Sequence, residues 1–253
     1  MKAISCVCSG SERSREGLQQ VQACCELVSI EEAEALVVLG GDGFLLESIH
    51  AHFERRIPFF GMNRGTIGFL MNEFRPDGLV RRVSDARREQ IAPLRMTTTD
   101  IHGQVREALA FNEVALVRAS GQAANVSISV DGKVRMETLI ADGIMVATPA
   151  GSTAYNLSVN GPVLPLGSNV LAMTPISPFR PRRWHGALLP RLAEIELKNL
   201  DAQKRPVGAS ADGKEVLDIV SVVVRADESL AATVLFDREH SLEERIFREQ
   251  FTV

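Results

Sequence analysis

Leu36-Val37-Val38-Leu39-Gly40-Gly41-Asp42-Gly43-Phe44-Leu45-Leu46-Glu47 decides how the front of this chain folds. An apolar run without polar alternation reads as a strand covered on both faces, the habit of parallel sheets. It ends in a glycine-rich turn, and helix-forming residues follow. At a helix N-terminus, unpaired backbone N–H groups and the helix dipole favour a bound phosphate. Asp42 lies inside that turn, where a carboxylate would repel such a ligand. Two readings stay open on these residues alone. Asp42 orients a hydroxyl nucleophile or accepts its proton, or it caps the helix while the glycines supply positive φ.

On either side the same texture continues. Ala3 to Val7, a helical segment around Ser11 to Gln22, Ala35 to Leu39, a helix from Phe44 to Phe53 and a strand from Ile57 to Phe60 alternate as βαβα. Arg75-Pro76-Asp77 reads as a helix start, with Leu79, Val80 and Val83 on the apolar face and Arg81, Arg82, Arg87 and Arg88 in solvent. After Pro93 the pattern turns to β. Val126, Ile128 and Val130 alternate with Ser127 and Ser129, Asp131-Gly132 supplies a tight hairpin turn, and Val134 to Ile140 returns. Short strands recur at Glu194 to Lys198, Val216 to Val224 and Ala231 to Phe236. The expected organisation is an α/β domain over residues 1–92, an all-β domain over 93–236 and a tail over 237–253 with Leu242, Ile246 and Phe247 at helical spacing.

Composition removes several function classes. A net charge of -4 argues against a broad nucleic-acid-binding face. No apolar run approaches the roughly 20 residues of a spanning helix, and no leader pattern is visible, so the expected location is cytoplasmic without membrane contact. Cys6, Cys8, Cys24 and Cys25 lack the two-residue spacer common in structural zinc sites, and the histidines are scattered. Free thiols and no side-chain metal site are expected.

Gly40-Gly41-Asp42-Gly43 after an apolar strand resembles a motif shared by NAD kinases, diacylglycerol and sphingosine kinases, and 6-phosphofructokinases. Gly61-Met62-Asn63-Arg64-Gly65-Thr66-Ile67-Gly68-Phe69-Leu70 looks like the second NAD kinase motif, and Phe111-Asn112-Glu113-Val114 is similar to the Asn-Glu pair of that family. The long segment from Ala141-Asp142-Gly143 through Ala150-Gly151-Ser152-Thr153-Ala154-Tyr155-Asn156-Leu157-Ser158 resembles the NAD kinase signature over its whole length. Ser210-Ala211-Asp212-Gly213-Lys214 looks like its late Asp-Gly element. Two stretches depart from the family pattern: Asn160-Gly161-Pro162 stands where Gly-Gly-Pro is common, and Phe179-Arg180-Pro181-Arg182-Arg183-Trp184-His185 is more basic than usual.

The resemblance, to the bacterial type of that family, implies an N-terminal α/β domain, a C-terminal β-sandwich and an active site in the cleft between them. It implies transfer of a phosphoryl group from ATP or polyphosphate to the 2′-hydroxyl of the adenosine ribose of NAD, with Mg²⁺ arriving with ATP and a homodimer or homotetramer as the assembly. By the same resemblance Asp42 is the catalytic residue. Asp42, Gly43, Phe69, Asn112, Glu113, Asp142, Ala150, Thr153, Ala154, Tyr155, Ser158 and Asp212 would bind NAD, and Gly40, Gly41, Gly43, Asn63 and Arg64 the donor phosphates. From the residues themselves, a carboxylate such as Glu113 suits a ribose diol and an amide such as Asn112 a base edge. Tyr155 offers a flat ring with a polar tip, although a core tyrosine is the plain alternative. A lipid kinase sharing only the glycine turn would have no use for residues 142–158.

Overall fold

The structure, a computed structural model, describes residues 3–65 and 68–238. The expected tail helix around Leu242, Ile246 and Phe247 lies outside the described residues, as do Thr66 and Ile67. Two compact units are present, residues 1–91 with 230–253, and residues 92–229.

The first unit opens with β1 (Ile4–Cys8), α1 (Glu12–Cys24), β2 (Ala35–Gly40), α2 (Asp42–His52), β3 (Phe59–Asn63), α3 (Leu79–Asp85) and β4 (Arg87–Ile91). β1, β2 and β3 are parallel neighbours. Every residue of β2 is buried, as its unbroken apolar run requires. Helix α1 starts where the Ser11 side chain accepts a hydrogen bond from the Ser14 amide. Gly17 faces Arg64 and Phe74 so closely that a Cβ there would come within 3.1 Å of both side chains.

The second unit contains β5 (Leu94–Asp100), β6 (Val105–Ala110), β7 (Glu113–Arg118), β8 (Ala124–Val130), β9 (Lys133–Ala141) and β10 (Gly143–Ala147). After a short turn and α4 (Tyr155–Ser158) come β11 (Val170–Ile176), β12 (Ala187–Pro190), β13 (Ile195–Asn199), β14 (Val207–Ala211), β15 (Lys214–Val216) and β16 (Ile219–Ala226). They form two six-stranded antiparallel sheets, β6-β5-β16-β13-β8-β9 and β12-β11-β10-β7-β14-β15. Met96, Ile128 and Val222 from one sheet and Leu116, Val146 and Ala209 from the other meet in a single apolar cluster, which makes the unit a sandwich. The expected strand from Val216 to Val224 is split, because Asp218 adopts a left-handed conformation (φ 55°) between β15 and β16. Asp131 and Gly132 both have positive φ, as a tight hairpin turn demands.

The chain then returns to the first unit as β17 (Ala232–Phe236), parallel to β3 and antiparallel to β4. The first sheet is therefore β1-β2-β3-β17-β4. This corrects the placement of Ala231 to Phe236 in the β domain. The strand's near-continuous burial suits a sheet covered on both faces better than the half-polar alternation of a sandwich strand. A second correction concerns the arginines of α3. Arg82 is not solvated: its guanidinium pairs with Asp237, each side chain only 9% exposed, and also donates to the Glu73 carbonyl. Arg87 and Arg88 belong to β4 rather than to a helix. Among the described residues no helix is long and apolar enough to cross a membrane.

Candidate functional site

Each unit carries one group of the expected site residues. In the first, β2 delivers Gly40 and Gly41 to the N-terminus of α2, whose first residue is Asp42. Neither reading of this turn from sequence is complete. Gly40, Gly41 and Gly43 all avoid positive φ, so backbone strain does not call for them. Gly40 is fixed by packing, since a Cβ there would lie 2.9 Å from the Phe44 side chain. Gly41 and Gly43 are different, for a Cβ on either would meet none of the described residues within 4 Å. Packing among the described residues gives no reason for glycine at those two positions.

Asp42 is not only a helix-end residue. Its Oδ2 accepts the Phe69 amide at 2.7 Å and its Oδ1 accepts the Leu70 amide at 3.0 Å, across 27 and 28 residues. The carboxylate thus latches the loop that follows β3 onto the start of α2. At its base the same loop is held by Asn72, fully buried, whose side-chain amide donates to the Gly61 and Leu235 carbonyls and whose Oδ1 accepts the Asp237 amide. Asn72 carries no motif and went unnoticed in the sequence; an amide among Leu70, Met71 and Phe74 was the available signal. Asn63 caps its own turn by accepting the Gly65 amide. The Arg64 amide donates to the Gly40 carbonyl, but its guanidinium is turned to α1, donating to the Arg13 carbonyl and stacking 4.1 Å from the Phe74 ring centroid. Burial and the nearby Arg13 charge lower the Arg64 pKa.

The second unit gathers the rest. Asp212 and Gly213 form the αL–αL turn between β14 and β15, and the Asp212 carboxylate reaches back to accept three amides, from Phe111 at 2.6 Å, Asn112 at 3.0 Å and Glu113 at 3.2 Å. Asp212 therefore sets the conformation of the Asn-Glu pair. From the other side the Thr148 hydroxyl donates to the Phe111 carbonyl and accepts the Gly151 amide. Gly151 lies against Asn112 so tightly that a Cβ would fall 2.1 Å from its carbonyl oxygen. The pinned turn presents Glu113, whose Oε2 is buried and has no hydrogen-bond partner. Burial, with the Asp212 charge added, pushes its carboxyl up to about 7.

The long signature divides into packing and exposed residues. Ser152 is buried, donating to the Pro149 carbonyl and accepting the Leu164 amide. Asn156 is buried too and holds Ser152, Pro162 and Thr174 together. Neither offers its side chain outward. Gly161 is required beside Asn156, where a Cβ would lie 2.1 Å from the Asn156 Oδ1. Tyr155 is 41% exposed and thus no core residue; Ser158 is exposed, Thr153 and Ala154 are half-buried, and Ala150 is buried. Asp142 pairs with Arg118 at 2.7 Å, a partner absent from the sequence reading.

Comparison with known proteins gives these residues a context. Residues 111–226 match the ATP-NAD kinase C-terminal domain. An NAD kinase of Cereibacter sphaeroides is 52% identical over 248 residues, 98% of both chains. One from Caulobacter vibrioides is 49% identical over 97% of this chain and 94% of its own. Among solved structures, yeast NADH kinase complexed with NADH superposes with a TM-score of 0.83 at 21% identity, over 99% of this chain and 87% of that one. An Archaeoglobus fulgidus NAD kinase in complex with ATP gives 0.76 at 24% identity, over 97% of each. Those two likenesses establish the fold, and identity near one half along almost the whole length establishes more: the chain belongs to the NAD kinase family of enzymes.

Proposed function

We propose that this enzyme phosphorylates NAD at the 2′-hydroxyl of its adenosine ribose, giving NADP, with ATP or polyphosphate as donor. The observation that supports this most is Glu113 Oε2, buried and unpartnered on a turn fixed from two sides. An unsatisfied buried acceptor is costly, and the hydroxyl pair of a ribose supplies the donors it lacks. Asn112 beside it suits the adenine edge, Tyr155, Thr153, Ala154, Ala150 and Ser158 form the wall for the remainder of the dinucleotide, and Asp142 with Arg118 offers a polar pair to the carboxamide. Phe69 sits on the loop that Asp42 holds, so the loop and the carboxylate are placed together.

Asp42 in this reading orients the 2′-hydroxyl and accepts its proton. The Phe69 and Leu70 amides fix the orientation of its carboxylate at the first turn of α2. Gly41 and Gly43, open to at least 4 Å, admit the donor's phosphates close to the backbone at the α2 N-terminus. Asn63 keeps the neighbouring turn in shape, and Arg64 acts from behind, bracing α1 against it. A divalent cation chelated by ATP would neutralise phosphate charge as the γ-phosphoryl leaves. A homodimer or homotetramer in the cytoplasm completes the proposal.

Purified protein incubated with NAD, Mg²⁺ and either donor should form NADP, read by a dehydrogenase that accepts only NADP. Phosphorus NMR of the product should place the new group on the 2′-oxygen. Turnover with a lipid or sphingoid base and none with NAD would overturn the proposal.

A further inference from the structure

The basic stretch after β11 is exposed but anchored. The Phe179 and Arg180 amides donate to the Ile140 carbonyl, and the Ile140 amide donates back to the Arg180 carbonyl. Trp184 packs against the sandwich core. Gly186, at φ 113°, touches β11, where a Cβ would lie 2.2 Å from the Met173 carbonyl oxygen. Three anchors thus hold seven residues in place. Within them the Arg180 and Arg182 guanidiniums lie 5.5 Å and 4.9 Å from the centroid of the exposed Phe179 ring. Among the described residues the ion pairs go to other arginines, and none of Arg180, Arg182 and Arg183 meets a carboxylate. Three exposed like charges on a fixed loop repel one another only weakly through water and salt, and together they favour an anion beside them.

The same loop walls a cavity of about 490 Å³, lined by Ser158, Asn160, Arg182, Trp184 and His185 among others. That size lies within the range of small-molecule sites, about 300–1,000 Å³. A planar guanidinium suits the oxygens of a phosphate, a serine hydroxyl and an imidazole add donors, and an indole offers a face to a flat ring. We infer that this cavity is a phosphate subsite for a nucleotide, with Arg182 as the residue that grips the phosphate. The inference rests on the proposed dinucleotide site in one respect, because Ser158 belongs to both. The phosphate has two possible sources: the dinucleotide substrate, or a separate phosphoanion bound beside it.

Trp184 is the chain's one tryptophan and reports on its own cavity. Its fluorescence should be followed while NAD, inorganic phosphate, and inorganic phosphate with saturating NAD are titrated into wild type, Arg182→Met and Arg182→Lys, with calorimetry alongside. Arg182→Met should weaken the phosphate-bearing ligand about tenfold, Arg182→Lys should recover part of that, and the difference should shrink as salt rises. If the substrate supplies the phosphate, NAD binding falls in Arg182→Met and inorganic phosphate competes with NAD. If a separate anion supplies it, inorganic phosphate binds on top of NAD and its affinity alone falls. Unchanged affinity of Arg182→Met for both ligands overturns the subsite. A wild-type protein that binds phosphate through Arg182 but shows no NAD binding would keep the subsite and sink the dinucleotide reading.

Discussion

Asp42 and Asp212 each precede a glycine, and each reaches far along the chain to hold another loop by its backbone amides. Asp42 does so from the first turn of a helix after a buried parallel strand, binding two amides; Asp212 does so from a hairpin turn with positive φ, binding three. The first latch stands beside Gly41 and Gly43, where none of the described residues occupies the space a side chain would need. The second stands behind Asn112 and Glu113, with its carboxylate consumed by their backbone. The difference teaches that one carboxylate geometry can serve two ends: in the proposed reading Asp42 meets substrate as well as holding a loop, whereas Asp212 acts through the turn it holds.

Replacing the two residues should break that comparison if it is wrong. Asp42→Asn keeps the size of the side chain, loses the base and turns an NH₂ group toward one of two amide donors. Turnover should fall about 10²–10⁴-fold, with stability lower by about 1–3 kcal/mol from the unpaired amide. Near-normal kcat per folded molecule would reduce Asp42 to a latch.

Glu113→Gln tests the group that Asp212 positions. NAD should bind about 10–100-fold more weakly, the cost of one charge-assisted hydrogen bond, as read by calorimetry. Stability should move the other way. A raised acid pKa means that the folded state holds the proton more tightly than the unfolded chain. Stability from this group is therefore greatest below pH 4.5 and is lost as pH rises through about 7. A shift of that size corresponds to about 3 kcal/mol, so at pH 8 Glu113→Gln should melt several degrees above wild type, and at pH 4 the two should coincide. Equal melting at both values would show that the carboxyl is not strained by burial.

Asp212→Asn, which tolerates the left-handed turn, should weaken NAD binding about tenfold through the loosened Asn112–Glu113 turn while leaving kcat at saturation within about threefold. A loss of kcat as deep as that of Asp42→Asn would erase the distinction between the two aspartates. The smallest effect belongs to Gly43→Ala. Alanine there meets no atom and sits in a helix, so thermal stability should rise by about 0.4–1 kcal/mol, while KM for the donor increases because the phosphate's approach is obstructed. Unchanged donor KM would leave Gly43 without a ligand to explain it.

Much of this was legible in the chain, unevenly. The run from Leu36 to Leu39 and the alternation from Ala124 to Val130 announce their strands because burial on two faces or one writes directly into residue order. The Asp131-Gly132 turn is local chemistry and reads just as well. What could not be read were partners distant in sequence. Nothing near Asp212 says that three amides a hundred residues earlier will claim it, and nothing near Arg82 names Asp237. Ser152 and Asn156 sit inside the most recognisable segment, yet their side chains face Leu164 and Thr174. A motif marks positions that matter without telling which of them meet ligand and which hold the turn. Strand β17 was misplaced for a related reason: its residues suit a sheet, and only topology says which one.

That returning strand also governs the timetable of synthesis. β17 completes the sheet begun by β1, β2 and β3, yet residues 92–229 are translated before it. At about 5–20 residues per second, roughly 7–30 s pass between the emergence of β4 and that of its partner. During this interval β3 has an unzipped flank and Asn72 lacks the Leu235 carbonyl and Asp237 amide that it finally joins. The later-made sandwich, contiguous in sequence, is free to mature on the ribosome before the unit that precedes it.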